Sequence, residues 1–110
     1  MFISREIESI VLELSESLSA LADPVRLTII RSLGTGQKCV CDLQDQVPVA
    51  ANLLSYHLRI LREAGLVTAT RRGRWMDYQL DLEGFSRLWS SADDAGVPLV
   101  SARREQEVGN

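Results

Sequence analysis

Residues 51–80 have the sequence ANLLSYHLRILREAGLVTATRRGRWMDYQL, and this stretch decides the fold. Leucines recur at helical spacing in its first half, which predicts an amphipathic helix over about residues 50–64. Gly65 is a typical helix stop. Residues 66–70 then predict a strand, 71–73 a turn, and 74–80 a second strand. The stretch is therefore a helix followed by a β-hairpin with an arginine-rich tip.

Three further helices are predicted upstream and one downstream of this stretch. Asp23-Pro24 is a helix start, with Asp as the N-cap and Pro at the first helical position. That helix stops at residues 34–36, and a short helix then runs to about Gln46 before Pro48. A last helix covers about residues 82–92. The order predicts a mainly α fold with a two-stranded β-hairpin, the winged helix-turn-helix.

The first predicted helix, residues 4–22, has a narrow apolar seam. Its members follow steps of four and three residues: Ile7, Val11, Leu14, Leu18 and Leu21. A seam of this kind packs on another helix. The spacing leaves open whether that helix belongs to the same chain or to a second subunit.

The 110 residues are enough for one domain, which we assign to residues 1–96, with a polar tail over residues 97–110 that we expect to fray. No apolar run is long enough to span a membrane, so no membrane partner is expected. The first residues lack the layout of a secretory signal. We therefore expect a cytoplasmic protein whose cysteines are thiols.

The charge is unevenly distributed. Five arginines and one glutamate between Arg59 and Met76 give this window +4, although the whole chain is −3. A basic band on an acidic body is typical of a surface that contacts nucleic-acid phosphates. A merely solvated arginine-rich face remains the alternative on charge alone.

Cys39 and Cys41 are the only cysteines, and they lie one residue apart. Two close thiols can share a soft metal or metalloid ion. On a helix, residues i and i+2 point about 200° apart, so the pair can chelate only where the helix starts inside or after it, or unwinds. We expect a disulfide between them to be strained. Two structural cysteines are the alternative.

Four stretches together resemble the ArsR/SmtB family of metalloregulatory repressors. They are residues 21–27 (LADPVRL), 39–43 (CVCDL), 55–67 (SYHLRILREAGLV) and 72–78 (RGRWMDY). The resemblance covers roughly residues 14–89. The resemblance implies a homodimer that binds double-stranded operator DNA and dissociates from the DNA when an effector binds. We expect the dimer to form through the first and last helices.

In the arsenic-responsive branch of that family, the positions of Cys39 and Cys41 bind arsenite or antimonite. Trivalent arsenic prefers three thiolates, so the third donor here has to be an exogenous thiol, water or an oxygen such as that of Asp42. Mercury accepts two thiolates and stays open as an alternative. Zinc and cadmium want four donors and rank lower. Residues 77–94 contain acids but no histidine, so the family's second metal site is not expected there.

The fourth helix is the predicted recognition helix, and the hairpin tip is the predicted wing. We expect DNA contacts from both, through Asn52, Ser55, Tyr56, His57, Arg59, Arg71, Arg72 and Arg74. Many family members begin this helix with Ser-Gln, whereas this chain has Ala50-Ala51. A base contact and a helix cap are therefore missing, and the operator sequence cannot be carried over.

No nucleophile–base pair, phosphate-binding glycine loop or carboxylate dyad is evident, so we do not expect an enzyme. Two rivals to the effector-responsive repressor remain. One is a winged-helix DNA-binding regulator whose cysteines are structural and which has no metal response. The other is a winged-helix protein-interaction module that does not bind DNA.

Overall fold

The structure is a computed structural model that describes residues 4–99. Five helices and three strands occur in this range: α1 Arg5–Leu21, α2 Pro24–Leu33, β1 Lys38–Cys39, α3 Val40–Gln46, α4 Ala51–Glu63, β2 Val67–Arg72, β3 Trp75–Leu80 and α5 Leu82–Asp94. This order confirms the predicted winged helix-turn-helix. Of the predicted tail, only residues 97–99 lie within the described range.

The sheet has three strands rather than the predicted two. All pairs are antiparallel, in the order β1-β3-β2. The extra strand, β1, places Lys38 opposite Tyr78 and Cys39 opposite Asp77. Two residues are too few to show an alternating pattern, so no periodicity predicts this strand.

Side-chain caps fix where α2 and α5 begin. Oδ1 of Asp23 accepts from the backbone N–H groups of Val25 and Arg26 at 2.8 and 3.1 Å, as predicted for an N-cap. Asp81 caps α5 in the same way, accepting from Gly84 at 3.0 Å. Ala50, at the N-cap of α4, makes no side-chain capping bond, which confirms the expected lack of one.

The leucine stripe of α4 forms the centre of the core. Leu54, Leu58 and Leu61 are at most 1% exposed and pack with residues of α2, α3, the sheet and α5. Burying such a side chain stabilises the fold by roughly 1.5–3 kcal/mol. This packing fixes which face of α4 points outward, and so which residues can reach a partner.

The apolar seam of α1 is covered along only part of its length. Leu14 is buried, and Leu18 and Leu21 pack against the core. Ile7 and Val11, nearer the start of the helix, are 49% and 41% exposed. Within residues 4–99, the chain therefore covers the second half of the seam and leaves the first half open.

Helix α5 starts unusually close to the end of α4. The backbone of Gly84 approaches Gly65 so closely that a Cβ at residue 84 would lie 1.7 Å from the carbonyl oxygen of Gly65. Gly65 has a φ of 75°, which glycine adopts readily. Only glycine at position 84 allows this contact, which joins the last helix to the end of the predicted recognition helix.

Candidate effector site and nucleic-acid interface

The two cysteines lie on either side of a helix start. Cys39 ends β1 in an extended conformation (φ −74°, ψ 161°), and α3 begins at Val40. The Cys39 Sγ caps the helix, accepting from the backbone N–H of Asp42 at 3.4 Å. Of the three conditions under which the pair could chelate, the structure shows a helix that starts inside the pair, and this placement brings the two side chains together.

The structure joins Cys39 and Cys41 by a disulfide, with their Cα atoms 5.4 Å apart. Disulfides usually have Cα separations of about 4.4–6.8 Å. The expectation of two thiols, which rested on an expected cytoplasmic location, is thus wrong for this structure. The two sulfurs can meet because Cys39 lies outside the helix and only Cys41 lies in it.

A third ligand type lies beside the sulfurs. One ligand atom from each of Cys39, Cys41 and Asp42 falls within 4.8 Å of the others. Cys41 and Asp42 are exposed, while Cys39 is more enclosed. Two sulfurs and a carboxylate oxygen suit a thiophilic ion better than a hard one once the disulfide is reduced. No other group of three such ligands occurs in residues 4–99.

The outward face of α4 presents four of the predicted DNA contacts. Asn52, Ser55, Tyr56 and Arg59 are all exposed. The Arg59 guanidinium carbon lies 5.8 Å from the Tyr56 ring centroid. Arg59 also approaches Glu63 at 3.9 Å, in a solvent-exposed pair of the kind worth at most about 1 kcal/mol. The arginine is therefore only weakly held and is available to a partner. DNA contact by these four residues stays a prediction.

His57 differs from these four residues because it is half-buried. Its Nδ1 lies 3.0 Å from Nη1 of Arg26 on α2. Arg26 also donates through Nε to the carbonyl of Ala20 at 2.6 Å. The structure thus turns one ring nitrogen of His57 inward, and a phosphate contact by this residue stays a prediction. The sequence carried no signal for this contact across 31 positions.

The wing arginines Arg71, Arg72 and Arg74 are exposed, but Arg72 already has a partner. Its Nε donates to Oδ2 of Asp77 at 2.7 Å and its Nη2 to Oδ1 at 3.2 Å. These bonds, more than the opposing burial, hold the pKa of Asp77 below its usual value and raise that of Arg72. The predicted phosphate contact by Arg72 has to compete with this carboxylate.

Asp77, on β3, was not among the site residues predicted from the sequence. It is 5% exposed, and it also accepts from Nε2 of Gln37 at 3.2 Å. Alternation along a strand assigns a face but does not tell what covers it. The signal that could have predicted the Arg72–Asp77 contact is an aspartate diagonally opposite an arginine across the hairpin.

A short helix, a turn and an exposed longer helix, followed by a basic wing, define a winged helix-turn-helix regulator. Residues 23–69 match the family model described as bacterial regulatory protein, arsR family. The chain belongs to this ArsR/SmtB family, whose members are DNA-binding transcriptional regulators and not enzymes.

Two named repressors are similar to this chain in sequence. The arsenical resistance operon repressor of Bacillus subtilis is 42% identical over 76 residues, covering 68% of this chain and 72% of the relative. The HTH-type transcriptional repressor SmtB of Mycobacterium tuberculosis is 48% identical over 65 residues, 59% of this chain. This chain spans 48% of that repressor's length.

A solved structure has the same fold. It is described as a possible transcriptional regulator for arsenical resistance and matches with a TM-score of 0.66 and 35% identity, over 72% of this chain and 82% of that one.

None of the helices within residues 4–99 is both long and apolar enough to cross a membrane.

Proposed function

We propose that this chain is a transcriptional repressor that binds double-stranded operator DNA as a homodimer and dissociates when arsenite or antimonite binds Cys39 and Cys41. The observation that most directly supports this proposal is the placement of the two cysteines. Cys39 lies on β1, which pairs with the wing strand β3, and Cys41 lies in the first turn of α3. Binding that alters this segment acts on the elements that hold the DNA-reading surface. Coupling of this kind is typically worth about 1–3 kcal/mol, or 5–150-fold in affinity.

The DNA-binding part of the proposal rests on the exposed α4 face and the wing. Arg71 and Arg74 are exposed at the tip of the hairpin, which directly follows α4 in the chain. Each phosphate contact contributes about one unit to the salt dependence of binding. Because each substitution removes one arginine from both subunits of the homodimer, Arg71→Ala and Arg74→Ala should each lower the slope of log affinity against log salt by about two. Arg87→Ala on α5 is the matched control and should leave the slope unchanged.

The homodimer is supported by apolar side chains that the chain leaves uncovered on α1 and α5, two helices that pack together. Besides Ile7 and Val11, they include Leu82 and Trp89, which are 73% and 41% exposed. Two copies meeting through these helices would bury them and place the recognition helices about one DNA turn, ~34 Å, apart. Val11→Glu should shift sedimentation toward monomer, whereas Glu13→Gln on the same helix should not.

The effector is tested by titrating the reduced protein with arsenite, antimonite, mercury, cadmium and zinc. Fluorescence anisotropy of labelled promoter DNA reports release, and ultraviolet thiolate–ion absorption reports binding in the same sample. Arsenite should release DNA from the wild type and not from the Cys39→Ser, Cys41→Ser double variant. Release from the double variant would contradict the proposal.

The disulfide supports one rival, a DNA-binding regulator whose cysteines are structural. Under that rival, the double variant loses stability but the DNA affinity of the wild type does not change with any of the ions. The titration above separates this rival from the proposed function. Only if the cysteines form an effector site does the ultraviolet thiolate–ion band appear together with DNA release.

A further inference from the structure

Asp77 is the one buried charged side chain in the described residues, and its carboxylate bridges two parts of the fold. On one side it accepts from Arg72, the last residue of β2 beside the wing tip. On the other side it accepts from Gln37, the residue before β1. An ionised carboxylate only accepts hydrogen bonds, so Gln37 must present its amide nitrogen. The wing and the approach to the cysteine strand are thus held by the same group.

The backbone of Asp77 adds a second link. It pairs directly with Cys39 in the β1–β3 ladder, next to the Lys38–Tyr78 pair. Cys39 is in turn bonded to Cys41 across the start of α3. The backbone pairing of Cys39 with Asp77 and the hydrogen bonds from Arg72 to the Asp77 carboxylate therefore form a continuous chain of contacts from the cysteines to the wing.

We infer that Asp77 is a positioning residue that transmits effector binding at Cys39 and Cys41 to the wing, an inference that rests on the function proposed above. Closing two reduced sulfurs around one ion fixes the chain on either side of Val40. Because Cys39 belongs to β1, that constraint acts on its pairing with Asp77 and on the nearby Gln37 contact. Arg72 then changes its partner or its direction, and its contribution to phosphate binding changes with it.

Asp77→Asn tests this inference because it keeps the shape of the side chain and removes its charge. Affinity for promoter DNA is measured by anisotropy with and without saturating arsenite, and the ratio of the two dissociation constants is the readout. We expect a ratio of about tenfold or more in the wild type, within the usual range of such couplings, and of about threefold or less, below that range, in Asp77→Asn. Arsenite binding, followed by ultraviolet absorption, should change little, which separates lost transmission from a lost site.

Two further variants complete the test. Asp45→Asn removes an exposed carboxylate from α3 and should keep the wild-type ratio. Gln37→Ala removes only the exposed donor beside β1 and should lower the ratio even where Asp77→Asn proves poorly folded by circular dichroism. An unchanged ratio in folded Asp77→Asn, or in Gln37→Ala if Asp77→Asn does not fold, overturns this inference alone. A wild-type ratio of one with arsenite bound overturns the proposed function and this inference with it.

Discussion

Nη1 of Arg26 on α2 lies 3.0 Å from Nδ1 of His57 on α4. A guanidinium carries only donors, so Nδ1 is the acceptor and the ring proton is on Nε2. The same guanidinium donates to the carbonyl of Ala20 near the end of α1. One side chain therefore connects three helices, namely α1, α2 and the predicted recognition helix α4.

Removing that side chain should destabilise the fold. Arg26→Ala leaves the carbonyl of Ala20 and a ring nitrogen of His57 without their donor, which typically costs about 1–3 kcal/mol. Urea denaturation followed by circular dichroism measures the free energy of unfolding. Arg31→Ala, exposed on the same helix, should cost about 0.5 kcal/mol or less. Equal losses in the two variants would show that the contact has no energetic role.

The disulfide should block the effector response until it is reduced. Thiolates bind thiophilic ions, and the bonded sulfurs of Cys39 and Cys41 are not thiolates. Oxidised protein, checked for the absence of titratable thiol, should show no arsenite absorption band and no arsenite-induced DNA release. Treatment with a phosphine reductant should restore both. A full response from the oxidised protein would mean that arsenite acts elsewhere.

Gly84→Ala should destabilise the junction between α4 and α5. The added methyl would lie 1.7 Å from the carbonyl oxygen of Gly65, so the backbone of one helix end has to shift. Overpacking of this kind costs about 1–3 kcal/mol. Thermal unfolding measures the loss, with Ser86→Ala on the exposed side of α5 as control. A melting temperature equal to the wild type would contradict the close approach.

The cap of α2 should make a pH-dependent contribution to stability. Hydrogen bonds from backbone N–H groups, that of Arg26 first, lower the pKa of Asp23 below 3.8. Its contribution is therefore present above the unfolded-state pKa and is lost as pH falls through the lower folded-state pKa. At neutral pH, Asp23→Ala should cost about 0.5–2 kcal/mol.

Comparing this variant with the wild type at several pH values gives the test. The difference in unfolding free energy should shrink as the pH is lowered below 3.8. Asp23→Asn, which keeps a capping oxygen without a charge, should show a smaller loss at neutral pH and no such shrinkage. A difference that stays constant down to the lowest pH would rule out a role for the carboxylate charge.

Local rules were sufficient for much of this fold. The Asp23-Pro24 start, the α4 leucine stripe and the stop at Gly65 all follow from helix geometry and capping, and each was predicted. The cysteine pair was found by its spacing, and the start of α3 inside it is one of the three conditions for chelation that the sequence had left open.

The contacts that were missed all join distant parts of the chain. The β1–β3 pairing and the Gln37–Asp77 bond cross about 40 positions, and the Arg26–His57 contact crosses 31. Tertiary packing decides such contacts, and neither periodicity nor propensity reports it. The disulfide was missed for another reason, since the two cysteines were expected to be thiols from the predicted cytoplasmic location and not from their geometry.

The half-open seam of α1 has a consequence for how this protein behaves at low abundance. Ile7 and Val11 gain little from folding in a single copy, because water still reaches them. In the proposed dimer they are covered only on association, which makes folding and assembly one linked equilibrium. The melting temperature should then rise with protein concentration, and a cell that contains few copies would hold a repressor that unfolds more readily.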